Sequence, residues 1–341
     1  MVKQPEWIRT AIAIGNQFHY RKKNSYLHNA LNLTLLLMLV GGVVGVAASA
    51  AIVPHILYIP LAALAFGLLY FTIIILVNHE ACHGMLIVAK DRGTAQFWNR
   101  FFGWSVCLFF AMHFYEDWEK GHHQEHHLRP IENDGAIYKH LALGSDLVNR
   151  CAKILLIPGY LFVLEKRLPQ EDQRKLEGSR GFLMPATACL WIIVGTLATL
   201  TVSWVVPVAA FLGLHVASVF HQLKLSLEHG GKIGKEENRY FRSRTSLFPF
   251  RWLLMPLNIS LHFEHHLNYC VPWYDLPRYQ RALREVVPAH LQPYVFNQDV
   301  WDQLAGRKDV GVPANDTLNP TYITTRLISL PSTTPRAVRP D

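Results

Sequence analysis

Two long apolar stretches, each free of Asp, Glu, Lys and Arg, set the plan of this chain. One lies between Lys23 and Glu80, the other between Arg180 and Lys224. A membrane span needs about 20 consecutive apolar residues, and each stretch is more than twice that long. Each therefore has room for two helices joined by a tight turn. The pattern predicts spans over about 31–53 and 56–77, with the turn at Pro54-His55, and a third over about 182–205, with Pro207 at the next turn. A fourth begins near Val208, meets its first charge at Lys224 and continues as a helix through Leu227-Glu228-His229. Two shorter apolar stretches remain. Phe97–Phe114 carries Arg100 and His113, and Ile154–Leu164 is too short to cross, so both read as interfacial helices.

Composition agrees with a polytopic membrane protein. Hydrophobic residues make up 50% and charged residues 17%, against roughly 25% charged in soluble domains. A net charge of +8 raises the question of nucleic acid, but all 33 Lys and Arg fall outside the two charge-free stretches. If each stretch is a helical pair, every basic residue lies on one side of the membrane. That is the positive-inside pattern, with both termini cytoplasmic, and nucleic acid is not needed to explain the charge. Five cysteines (Cys82, Cys107, Cys151, Cys189, Cys270) form no CxxC pair and suit a reducing compartment. Residues 1–30 read as a cytoplasmic segment that is retained, since the apolar stretch after Arg21-Lys22-Lys23 is too long for a signal peptide. Residues 31–290 read as one membrane domain and 291–341 as a partly disordered tail, Pro- and Thr-rich from about Gly306.

The candidate chemistry lies in three histidine blocks: His79-Glu80-Ala81-Cys82-His83, His123-Gln124-Glu125-His126-His127 and His262-Phe263-Glu264-His265-His266. Residues three and four apart share a helix face. Each block thus offers two or three imidazoles in one direction, and eight exceed what one metal needs. Neutral imidazole binds iron, copper, zinc or nickel, so the count points to two metals. An even number of spans separates every pair of blocks, which puts all three on one side of the membrane. In the second block His122 also stands four before His126; His123 is the assigned ligand, by analogy with the third block, and His122 is held in reserve. The first block alone fits the HExxH motif of zinc proteases, with Glu80 as base. Such a protease needs one more ligand, not six, and leaves the other blocks unexplained.

The blocks, their order and the paired spans between them resemble the membrane fatty acid desaturase family, which also includes hydroxylases and ketolases. The likeness is strongest in Asn258-Ile259-Ser260-Leu261-His262-Phe263-Glu264-His265-His266-Leu267, followed by Val271-Pro272-Trp273-Tyr274-Asp275-Leu276-Pro277, and it extends over about residues 30–290. It implies an all-α integral membrane protein: four transmembrane helices under a cytoplasmic helical cap that holds two irons among histidines. It further implies an O2-dependent oxidoreductase that removes hydrogen from an unactivated C–H bond of a fatty acyl chain or similar lipid, leaving a double bond. Lipid, alkane or carotenoid hydroxylation or ketolation is the alternative on the same site.

The resemblance also implies a ninth histidine upstream of the third block. His229, within Glu228-His229-Gly230, is the candidate and His221 the alternative; His215 lies within the span. Leu225 stands where the family has an asparagine. The implied ligand set is His79, His83, His123, His126, His127, His229, His262, His265 and His266. Glu80, Glu125, Asp134 and Glu264 are candidate partners for the outer ring nitrogens. The aromatic run Phe97–Phe110 reads as an interfacial belt or the lining of a lipid channel. No Cys cluster for an iron–sulfur centre and no haem motif of a fused cytochrome b5 occurs in the sequence. A separate electron donor of ferredoxin or cytochrome b5 type is therefore expected, attracted by basic residues such as Arg278, Arg281 and Arg284. His262 stands where cytochrome b5-fused relatives carry glutamine.

Overall fold

A computed structural model describes residues 5–110, 141–160, 170–236, 239–309 and 311, together with Tyr115, Glu119, His122, His126 and His127. The chain is mostly helical. Four of its helical stretches are long and apolar enough to cross a membrane: Ser25–Ala51, His55–Cys82, Phe182–Thr201 and Val205–His229. They coincide with the four expected spans, and the second and fourth run on as helix past their apolar cores to the histidines.

Helix α1 is Glu6–Gly15 and α2 is Ser25–Ala48. The side chain of Asn24 caps α2, accepting from the Tyr26 and Leu27 N–H groups. Helix α3, His55–Ile74, passes directly into a π-helical turn, Ile75–His79. Such turns insert an extra residue into a helix and are common at functional sites; here the insertion sets the direction in which His79 leaves the helix. Helix α4 is Arg92–Phe110, α5 is Gly144–Leu156, α6 is Gln170–Thr201 and α7 is Val205–His229.

The most extensive helix contact is between α3 and α7, which run parallel. Their far ends meet where His55 and Trp204 place their rings 5.9 Å apart, and Phe71 stacks on Phe220 nearer the histidines. Glycines make this approach possible. A Cβ added to Gly213 would lie 2.6 Å from Phe66 Cβ, and one on Gly67 would collide with Val216. Small residues at a helix crossing are the usual way to gain contact in lipid, where apolar side chains have little to gain from leaving one apolar medium for another.

Just after the first block, residues 85–88 are clamped by polar side chains. Asn32 donates to the carbonyls of Met85 and Leu86, and Asn29 exchanges two hydrogen bonds with Val88. Asn99 accepts from the Leu86 and Ile87 N–H groups. Trp273 Nε1 donates to Asn32 Oδ1 at 3.1 Å, which ties the segment after the third block to the same clamp.

Helices α8 (Arg251–Leu254) and α11 (Val300–Leu304) pack against the core of the spans through Leu254, Val300 and Leu304, whereas α9 (His262–Leu267) and α10 (Leu276–Val286) belong to a second packed unit at the histidine end of the spans. Its core includes Phe241, Phe263, Tyr279 and Phe296. Strands β1 (Thr245–Ser246) and β2 (Phe296–Asn297) pair in parallel inside it. Helix α1 packs on α10: Tyr279, fully buried, donates to Ala11 O at 2.8 Å, and Gly15 leaves room for the same ring. The chain beyond 291 supplies β2 and α11, with Val300 buried; residues 310 and 312–341 lie outside the described residues.

Of the two interfacial candidates, 97–110 form most of α4, and 154–160 form the end of α5 and the turn after it. Residues 111–114 and 161–164 lie outside the described residues.

The substitution Gly213→Val should separate α3 from α7. Overpacking costs about 1–3 kcal/mol, so thermal melting of the purified protein in detergent should shift clearly downward. An unchanged melting curve would mean that the glycine contact does not hold the pair together.

Candidate metal centre

The first block leaves α3 through the π-helical turn, so His79 and His83 project from the histidine end of that helix. The third block occupies α9, a helix of six residues, and His229 ends α7. His122, His126 and His127 complete the cluster.

The rings form two four-histidine groups: His79, His83, His122 and His265; and His126, His229, His262 and His266. His127 sits between the groups, its ring centroid 4.6 Å from that of His265 and 4.4 Å from that of His266. The Nε2 atoms converge. His79 and His265 are 3.0 Å apart, His265 and His127 3.2 Å, and His127 and His122 3.3 Å. In the second group His229 and His262 are 2.9 Å apart, and His262 and His266 3.1 Å. Nitrogens held about 2.1 Å from one ion lie about 3.0 Å apart at right angles and about 3.4 Å apart in a tetrahedron. The observed spacings match ligands of shared ions, and the donor set fits two metals that accept imidazole.

The outer nitrogens of His229 and His79 are hydrogen-bonded. His229 Nδ1 donates to Arg242 O at 2.7 Å, which leaves the Nε2 lone pair directed at His262 and the centre of its group. His79 Nδ1 bonds Glu80 Oε1 at 3.2 Å. Glu228 Oε1 lies 3.3 Å from His262 Nδ1, and its other oxygen accepts from Lys224 Nζ at 2.6 Å. Lys224, Glu228 and His262 are all buried. Buried charges require partners, and this pair places a carboxylate behind a ring of the second group. Tyr269 stacks on His83 at 5.2 Å. The Thr245 hydroxyl donates to Glu264, a carboxyl that burial pushes up to about 7.

Of the residues singled out in the sequence, His79, His83, His126, His127, His229, His262, His265 and His266 are brought together. His123, Glu125 and Asp134 lie outside the described residues. His122, the reserve, is in the first group. His221 belongs to no such group among the described residues, and His215 instead accepts from the Gly159 N–H. Glu80 bonds an imidazole, and Glu264 bonds Thr245. The roles of Lys224 and Glu228 were not foreseen, although two charges four apart at the end of an apolar helix were a visible signal. The Arg242 carbonyl left no trace in the sequence.

Burial, reinforced by neighbouring imidazoles, holds His122, His127, His262, His265 and His266 well below their ordinary 6.5, so all five are neutral at pH 7. These are the forms that bind metal.

A family model described as fatty acid desaturase matches residues 54–298, a stretch that includes every histidine of both groups. No curated protein and no solved structure matches the chain.

Two outcomes follow from the geometry. Replacing Glu228 by Ala leaves Lys224 buried without its carboxylate and His262 without its neighbour. Loss of such an outer partner typically costs roughly 10–100-fold in metal affinity, and competition with a chelator should show it; unchanged retention would mean that the carboxylate does not support the ring. The second outcome concerns pH. The five imidazoles have folded values below the unfolded 6.5, so their contribution is complete above that value and is lost as pH falls through it. Glu264, raised by burial, acts in the opposite sense. Melting of the metal-free protein in nanodiscs should therefore be steady at neutral pH and fall on acidification toward about pH 5. A melting temperature constant over that range would contradict the assignment of neutral rings.

Proposed function

The chain belongs to the fatty acid desaturase family, and from that premise we propose that it is a membrane-bound, O2-dependent oxidoreductase that introduces a double bond into a fatty acyl chain or similar lipid. The observation that supports this most is the pair of four-histidine groups with His127 between them. Two irons, the metals of the family, would supply the oxidising power to take hydrogen from an unactivated C–H bond.

The chain's own residues do the rest. His79, His83, His122 and His265 would hold one ion and His126, His229, His262 and His266 the other, with His127 able to reach either. His122 takes the place expected of His123 in this reading, because its Nε2 lies among the others. Arg242, Glu80 and Glu228 orient rings from behind, and burial keeps His122, His127, His262, His265 and His266 neutral. Glu80 is buried and engaged with His79, which speaks against its acting as the base of a zinc protease.

The histidine end of the spans is assigned to the cytoplasmic face, with both termini there, since all Lys and Arg lie outside the charge-free stretches. Residues 1–30 and 31–290 are then the N-terminal segment and the membrane domain of this reading. The electrons come from a separate donor of ferredoxin or cytochrome b5 type, drawn to the basic face of α10 around Arg278, Arg281 and Arg284.

The test has two readouts. Metal analysis of purified protein should find two irons in the wild type, fewer in His122→Ala and an unchanged content in His123→Ala; the reverse pattern returns His123 to the ligand set. Expression in a lipid-producing host should yield an unsaturated product that His266→Ala abolishes. A hydroxylated or oxo product assigns the alternative reaction on the same site. Identical lipid profiles, with both proteins expressed and the wild type loaded with iron, would remove lipid oxidation in that host.

A further inference from the structure

Helix α5, Gly144–Leu156, is too short to cross a bilayer and carries Asp146, Arg150 and Lys153, so by sequence it belongs on the membrane surface. Its contacts place it elsewhere. Ser226 Oγ donates to Ala142 O at 2.9 Å, near the histidine end of α7. Arg150 Nη1 donates to Gln222 Oε1 at 3.3 Å, one turn further in. The turn after α5 is reached last: the Gly159 N–H donates to His215 Nε2 at 3.1 Å. Three contacts in descending order along α7 show that α5 runs antiparallel to it, from the histidine end inward.

The depth follows from helix geometry. His215 is ten residues from Val205 at the far end of α7 and nine from Lys224, the first charge. At 1.5 Å per residue both separations are about 14–15 Å, half of a hydrocarbon core about 30 Å thick. The parallel partner α3 agrees, since the ring contact of Trp204 with His55 fixes the far ends side by side and Gly213 packs on Phe66. The turn at Gly159 therefore lies near the bilayer midplane.

Backbone that reverses inside a bilayer must satisfy its N–H groups from within the protein. Here it does. The Ile157 N–H donates to Lys153 O and the Tyr160 N–H to Ile157 O. Pro158 has no N–H, and Gly159, at φ +75°, uses His215. The contact of His215 Nδ1 with Phe211 O, at 3.1 Å, fixes its proton there and leaves Nε2 as the acceptor. This buried histidine, outside the metal centre, thus has the function of capping the turn.

We propose that 144–160 is a re-entrant segment that enters the bilayer from the histidine end and turns back near the midplane, and that its outward face is covered by lipid acyl chains. The exposed side chains suit that partner: Leu156 is 78% exposed, and Val148, Leu155 and Ile157 lie open beside it. The charges lie toward the entrance, where the Arg150 guanidinium is bonded to Gln222 and the aliphatic stem of Lys153 is long enough to carry its ammonium to the headgroups. The proposal does not depend on the metal or on the reaction.

Nitroxide labels report the depth directly. In full-length protein with Cys151, Cys189 and Cys270 replaced by Ser, labels are placed at Leu156→Cys, Leu155→Cys or Ser145→Cys and measured in lipid nanodiscs. A single size-exclusion peak and an unchanged melting temperature check that each variant is folded. Labels at 155 and 156 should be relaxed by dissolved oxygen and lose all broadening by chromium oxalate, while the label at 145 keeps it. Chromium-oxalate broadening equal at all three positions would overturn the proposal by placing α5 in water. Protection at 155 and 156 from both reagents would overturn it too, because protein rather than lipid then covers the face.

Discussion

Everything in this protein depends on packing nine imidazoles together with their ring nitrogens converging. Lone pairs about 3 Å apart repel one another unless a cation lies between them, and protonating the rings would bring like charges together in a desolvated space. The fold must supply a scaffold stiff enough to impose that geometry and a setting apolar enough to keep protons away. Both requirements are met at the point where α3 and α7 emerge from their apolar cores.

The stiffness comes from helices that lipid alone would not hold together. Gly67 and Gly213 bring α3 and α7 into backbone contact, which fixes His79 and His229 relative to each other. The π-helical turn then aims His79, and the asparagine clamp on 85–88 fixes the chain as it leaves His83. Because Trp273 joins that clamp, the first and third blocks share one support. Leu257 and Asn258 both adopt left-handed backbone just before α9. For leucine that conformation is costly, and it persists here where the chain must turn to present His262.

The spans were legible because the absence of charge over such lengths has one physical explanation, and the histidine blocks because three- and four-residue spacings survive any detail of packing. The choice between His122 and His123 is not legible: both precede His126 and His127 at helical spacings, and while His122 joins the first group, His123 lies outside the described residues. Glu228 was half legible. A glutamate at the end of an apolar helix is conspicuous, but its proximity to His262 joins residues 34 positions apart in sequence, and no local pattern records that. The Arg242 carbonyl that orients His229 is backbone, which any residue could supply.

In the sequence Ile154–Leu164 reads as an interfacial stretch, and the depth proposed for α5 has no signature there. Surface helices and re-entrant helices share one pattern, apolar on one face with charges on the other, and differ only in depth. Depth is set by a partner, here His215, which in the sequence is one histidine among eighteen. A polar residue inside a span is costly unless satisfied, and His215 could have been satisfied within its own helix by the Phe211 carbonyl alone. Its second nitrogen is what matters. By accepting from Gly159 it allows the chain to reverse within the apolar layer, so the same residue type does two opposite things in this molecule. Nine histidines direct nitrogens at one another, at spacings that suit shared ions, and one satisfies both of its nitrogens with backbone so that no ion is needed.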